Sequence, residues 1–276
     1  MASTAGPLTQ ATLIVHSAAP LVAAYAALGL SVVAQGAVSL AQSQAWGHPQ
    51  LAGCRTTALA CAGAAPLLRL IELPGAPPRP TRLHHGWLAL EILVRDVDAL
   101  AAPAVAAGFH MAGPPADLEM SANLRAMQLV GPAGEMLYLT QVKAAVPPFE
   151  LPLSSELPPA QAVGPLFIAV MSVASRAAAL AACAPLQPTG TLQFETKVTV
   201  LNRALGRPIE TRWPLATVAL AGRCLFEIDE VHDAQVQAAP AGVLPAGLAW
   251  VSVQAEGPNA LFEIAPGVWL ERVPRA

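Results

Sequence analysis

Residues 86–142 constrain the fold more than any other part of the chain. The stretch opens GWLALEILVRDVDALAAPAVAAGF, passes through a Pro/Gly-rich middle and closes LRAMQLVGPAGEMLYLTQV. Apolar runs bounded by turn residues predict strands at both ends. The Ala-rich run after Asp96-Val97-Asp98 predicts a helix, with Asp98 as N-cap and Gly108 as stop. The result is a strand, a helix and two or three further strands in one compact unit.

The same order precedes it. Residues 11–15 predict a strand and residues 21–28 a helix, with Pro20 at its first turn and Gly29 after it. Strands follow at 31–35, 55–61 and 67–73, and a polar loop, Gln42 to Pro49, carries Trp46 between them. A Pro-rich link, 74–80, separates the two units. A second Pro-rich stretch, 145–160, divides them from a third, with a strand at 166–173, a helix at 176–183, and strands at 191–201, 215–220 and 224–228. The fourth unit is short: strands at 248–255, 260–264 and 268–273, and no helix between them. Leu225-Phe226-Glu227-Ile228 and Leu261-Phe262-Glu263-Ile264 carry the same four residues, as expected of a duplicated strand.

Two motifs carry a family resemblance: Val94-Arg95-Asp96-Val97-Asp98 at the strand-to-helix junction, and Gly131-Pro132-Ala133-Gly134 before the closing strand. With them, residues 1–144 resemble paired modules of the vicinal-oxygen-chelate superfamily (glyoxalase, bleomycin-resistance and extradiol-dioxygenase proteins). The resemblance implies an α+β fold of repeated βαβββ modules forming curved mixed sheets. It would pair modules 8–75 and 85–143 in the N-terminal half, and a third module with a truncated fourth unit in residues 161–276.

It further implies a divalent metal held by residues from the first and last strands of each module. Carried over position by position, these are Gln10 and Glu72, Ala89 and Tyr138, Ile168 and Glu227, and Leu248 and Glu271. Neither half reaches three ligands, so no cofactor is expected. The metal reading is retained as an alternative with Gln10, Glu72 and one of His84 or His85 as ligands. Without a metal, the resemblance implies a lyase- or isomerase-like protein acting on a small oxygenated metabolite. The alternative is a resistance-type protein that binds a small molecule without turnover.

Glu72 is the first candidate catalytic residue, because a carboxyl in an apolar strand has its pKa raised when desolvated, as a general base requires. The competing reading pairs it with Arg55 or Arg69, or points it outward. Tyr138 is the second, donating its hydroxyl to a substrate oxygen or sitting at the sheet edge. Gln10, Trp46 and Arg125 are the candidate substrate-binding residues, with Arg125 a carboxylate anchor or a surface ion pair.

Composition excludes other classes. Of 276 residues, 12% are charged, about half the usual share, and the net charge is −3. Basic residues are scattered, so no nucleic-acid footprint is expected. No apolar run is long enough for a membrane span, and no leader pattern opens the chain, which makes a cytoplasmic location the expectation. The four cysteines show no CxxC spacing and predict buried reduced thiols. The sparse surface charge suggests a homodimer.

Overall fold

The computed structural model describes residues 4–77, 81–233, 236, 244 and 246–275. The first module comprises β1 (Leu8–Val15), α1 (Ala19–Ala26), β2 (Leu30–Ala37), α2 (Leu40–Ala45), β3 (Arg55–Cys61) and β4 (Leu68–Glu72). The second has β5 (Gly86–Val94), α3 (Val97–Ala106), β6 (His110–Leu118), β7 (Ser121–Val130) and β8 (Met136–Val142). The third runs β9 (Val163–Val173), α4 (Arg176–Cys183), β10 (Gly190–Lys197), α5 (Thr199–Ala204), β11 (Arg212–Leu220) and β12 (Cys224–Glu230). The fourth is β13 (Gly247–Ala255), β14 (Ala260–Ala265) and β15 (Val268–Pro274), with no helix between them.

Local chemistry explains the boundaries. Pro20 sits in the first turn of α1, where its missing N–H costs nothing, and Gly29 takes φ +82° beyond the helix end. α3 is capped by Asp96 rather than Asp98: the Asp96 carboxylate accepts from the N–H groups of Asp98 (3.0 Å) and Ala99 (3.1 Å). Ser175 caps α4, accepting from the Ala178 N–H at 3.2 Å.

The fold class is as expected: α+β, with modules folded into two curved mixed sheets. Their pairing differs. The seven-stranded sheet runs β14-β15-β13-β1-β4-β3-β2, and the eight-stranded sheet runs β10-β11-β12-β9-β5-β8-β7-β6. Module one therefore shares a sheet with the fourth unit and module two with module three, across the Pro-rich stretch 145–160. The cause lies at the strand edges. The first strand of every module is hydrogen-bonded to its own last strand on one side and offers the other edge. β13 fills that edge for β1, and β9 fills it for β5, both antiparallel. The first link, 74–80, reaches beyond the described residues at 78–80.

The sheets turn their outer faces toward one another over one shared core. Leu13, Leu70 and Val251 from one sheet and Leu90, Leu139 and Phe226 from the other meet there, with α1, α3 and α4 packed among them. The Trp87 indole N–H donates to the Trp269 carbonyl at 2.7 Å, joining β5 to β15. Tyr25 of α1 donates to the buried Glu135 carboxylate at 2.8 Å and ties module one to module two. Cys61, Cys183 and Cys224 are buried and Cys54 half-buried, and all four are free thiols.

Candidate functional site: two inner faces, one closed and one open

Each module's first and last strands are parallel neighbours, so their register aligns the four modules. Thr12 pairs with Arg69, Glu91 with Tyr138, Val170 with Glu227, and Ser252 with Glu271. Residues two apart on a strand share a face, and residues three apart do not. The last-strand positions that face inward are thus Arg69, Tyr138, Glu227 and Glu271. Glu72 lies three residues beyond Arg69, on the opposite face. There its carboxylate accepts from the Ala18 N–H (2.8 Å) at the entry to α1 and pairs with Arg55 (2.5 Å). Glu72 anchors a helix and stands away from the inner face, which removes the geometry expected for it as a base.

The inner face of the seven-stranded sheet is closed. Arg69 reaches Glu271 at 2.5 Å, and its Nε donates to the Thr12 hydroxyl at 2.9 Å. Glu271 also accepts from the Ser252 hydroxyl (2.5 Å) and the Trp46 indole (2.8 Å). The guanidinium lies 4.7 Å from the Trp46 ring centroid and 5.7 Å from that of Trp250, within cation–π range. Burial alone would raise the Glu271 pKa. The Arg69 charge and these donors outweigh it and hold the carboxyl below its usual range. Trp46, carried on the end of α2, is 2% exposed and plugs this face with Ile14, Leu51, Ile71 and Trp250. It fills a core instead of capping a pocket. Gln10 lies on the same face of β1 as Thr12, half-buried.

The inner face of the eight-stranded sheet is open. A cavity of about 340 Å³ lies over it, lined by Glu91, Gln128, Tyr138, Thr140 and Glu227 from the sheet, and by Phe194, Lys197 and Val200 from β10 and α5. Asp229, two residues after Glu227 on the same face of β12, is fully buried. The Tyr138 hydroxyl is buried without a hydrogen-bond partner, whereas Thr140 stands against the Glu91 carboxyl and Asp229 against that of Glu227. Burial, aided by the nearby Glu227 charge, pushes the Glu91 carboxyl up to about 8. Burial raises both Glu227 and Asp229; the Asp229 charge and the hydrogen bond between them raise Glu227 further and restrain Asp229, and burial next to these acids raises the Tyr138 hydroxyl.

Neither face presents the donor set of a metal site. Val170 stands opposite Glu227 and Glu91 opposite Tyr138, the first-strand positions Ala89 and Ile168 are apolar, and Glu271 is already neutralised by Arg69. Among the described residues no three His, Cys, Asp or Glu side chains converge on one point. His85 lies 3.4 Å from the Ser172 hydroxyl, before β5. Arg125 forms a two-pronged ion pair with Asp98 (2.7 and 2.8 Å) and a longer one with Asp117, on the exposed surface. Of the five residues expected at a site, the structure brings only Tyr138 to the cavity. Gln10, Glu72 and Trp46 belong to the other sheet, and Glu227 and Glu271 lie on different ones. Glu91, Thr140 and Asp229 were missed. Glu91 carried the same signal as Glu72, an acid in an otherwise apolar strand, LALEILV.

By sequence, no family model and no curated protein matches the chain. By structure it is similar to glyoxalase I from Zea mays, at 12% identity and a TM-score of 0.58, over 96% of this chain and 92% of that one. It is also similar to a Bacillus subtilis protein provisionally assigned as a dioxygenase, at 12% identity and a TM-score of 0.62, over 99% of this chain and 86% of that one. The fold is therefore that of the vicinal-oxygen-chelate superfamily. At this identity the likeness is one of fold, and activity has to be argued from the cavity.

Proposed function

We propose that the protein acts on a small oxygenated metabolite by proton transfer, in a lyase- or isomerase-like reaction carried out in the cavity of the eight-stranded sheet. One observation carries the reading. The Tyr138 hydroxyl is buried, unpartnered and in the lining of the cavity that also holds Glu91 and Thr140, which face one another. A buried polar group without a partner is costly, and a ligand oxygen would satisfy the Tyr138 hydroxyl. Glu91, with its carboxyl poised near 8, is the general acid or base, and Tyr138 donates to the substrate oxygen as its charge develops. Glu91 replaces Glu72 in that role, since Glu72 is engaged at α1.

Binding without turnover is the second reading. It is favoured by the apolar part of the lining, Phe194, Val198, Val200 and Leu215, which a ligand would cover. One experiment separates the two. Candidate hydroxy- and keto-metabolites are incubated with the protein in deuterated water, and exchange at carbon is followed by proton NMR. Catalysis predicts exchange that is lost in Glu91→Gln and reduced in Tyr138→Phe. Binding with no exchange in the unmodified protein supports the second reading. Exchange that survives Glu91→Gln removes Glu91 from the role. Homodimerisation, suggested by the sparse surface charge, is proposed separately and is checked by light scattering.

A further inference from the structure

The two inner faces are internal copies of one another, and the closed copy indicates what the open one takes. Register makes Arg69 and Glu271 of the seven-stranded sheet equivalent to Tyr138 and Glu227 of the eight-stranded sheet. In the closed copy a guanidinium is held between a carboxylate, a strand hydroxyl and aromatic rings. The open copy keeps the carboxylate as Glu227 and adds Asp229 and Glu91. It keeps hydroxyls in Tyr138 and Thr140, and aromatic surface in Tyr138 and Phe194. What it does not keep is the cation, since Tyr138 stands where Arg69 would be.

The two cations in the cavity lining are otherwise occupied, and Arg82, outside the lining, acts on Tyr138 only through its charge. Lys197 pairs with Glu210 (3.0 Å) and Glu119 (3.5 Å), and Arg203 donates to the Ala112 carbonyl at 2.8 Å. Among the described residues, no ion pair is recorded for Glu91, Glu227 or Asp229. The Tyr138 hydroxyl supplies an independent pointer to a ligand, being 9% exposed and unpartnered within the cavity lining.

We infer that the ligand of this cavity carries a guanidinium or ammonium group, which lies between Tyr138 and Glu227 in the position that Arg69 fills on the other sheet. This rests on the reading of the cavity as a small-molecule site and names the chemical class of that molecule. Its oxygen faces the Tyr138 and Thr140 hydroxyls, and its cation faces Glu227 and Asp229. The charged and titratable groups around that position are Glu91 on β5, Tyr138 on β8, Glu227 on β12 with Asp229 buried behind it, Lys197 on β10, Arg203 on α5 and Arg82 from the turn before β5, with Asp117 and Glu119 at the rim. Burial keeps the three inner carboxyls protonated well above the usual carboxylate range, so a cation must displace protons to bind. Its affinity rises with pH.

The test is calorimetric titration of the intact protein with butylguanidinium and butylamine against neutral butylurea, at about pH 6 and about pH 8.5. The expected result is cation binding that tightens at the higher pH, with butylurea at least about tenfold weaker. Glu227→Gln should weaken butylguanidinium by about tenfold or more, and Asp229→Asn should weaken it as well. Should Glu227→Gln fail to fold, Asp229→Asn and the comparison with butylurea decide the matter. The inference is overturned if butylurea binds as tightly as the cations, if neither variant weakens butylguanidinium, or if manganese(II) displaces it at equal concentration. Neutral hydroxy- or keto-metabolites that bind where cations do not would overturn this inference and leave the proposed function standing. Cation binding without carbon exchange would do the reverse.

Discussion

A carboxyl in the middle of an apolar strand either finds a partner or stays protonated, and this chain does both. Glu271 finds Arg69, and Glu91 is held near 8. The folded state binds the Glu91 proton up to about pH 8, whereas an unfolded Glu releases it near about 4.3. The stability this proton contributes is full below the unfolded value and is lost as pH rises through that window. Glu91→Gln should therefore melt above the unmodified protein at about pH 8.5, with the difference shrinking toward about pH 5, as scanning calorimetry would record. Arg69→Met leaves Glu271 buried and uncompensated, at an expected cost of roughly 3–5 kcal/mol in denaturant unfolding. Pairing it with Glu271→Leu should recover most of that loss. These residues also mark how far the site was legible. Counting along the strand motifs found Tyr138, Glu227 and Glu271 but took Glu72 for Arg69. A strand has period two, so a shift of three residues moves a side chain to the other face, and only the pairing register fixes it.

At the scale of elements, the strands were readable because apolar runs between turn residues have few alternatives. Strand β3 and helix α4 have the bounds expected of them. Helices α2 and α5 are six residues each, too short to show a helical period, and their sequences predict loop and strand respectively. Both also cover an inner face, α2 sealing one and α5 roofing the other. Asn202 fastens α5: its side chain accepts from the Trp213 indole (2.7 Å) and donates to the carbonyls of Ile209 (3.0 Å) and Thr211 (2.8 Å). Asn202→Ala leaves these groups unpaired and should cost about 2 kcal/mol or more. Hydrogen exchange should then speed up in α5 and β10 while α3 keeps its protection. The same protection in α5 would mean that packing alone holds the roof.

For the whole molecule, the modules were legible one by one, but their partners were not. Neighbouring modules in sequence invite pairing, yet both links are long enough to let edges meet in another order, and nothing in strand composition records which edge meets which. The observed order is nested, with modules two and three paired inside the pair formed by module one and the fourth unit. A fragment of residues 1–144 would lack both β9 and β13, baring the edges of β1 and β5. It is expected to aggregate or lack cooperative unfolding, whereas an autonomous N-terminal half would give a sharp transition by circular dichroism.

Nesting also imposes an order in time. β1 is made long before the strand that covers it: Thr9 is bonded to Ser252, 243 residues away. The inner sheet can close before the last strands of the outer one have been made. The ion pair that seals the closed face joins positions 202 residues apart, so Arg69 receives its counter-ion only once Glu271 has been made. Until then a chain holding Arg69, Trp46 and the open edge of β1 has no native partner for any of them, and this is the interval in which a chaperone or a second nascent chain would find it.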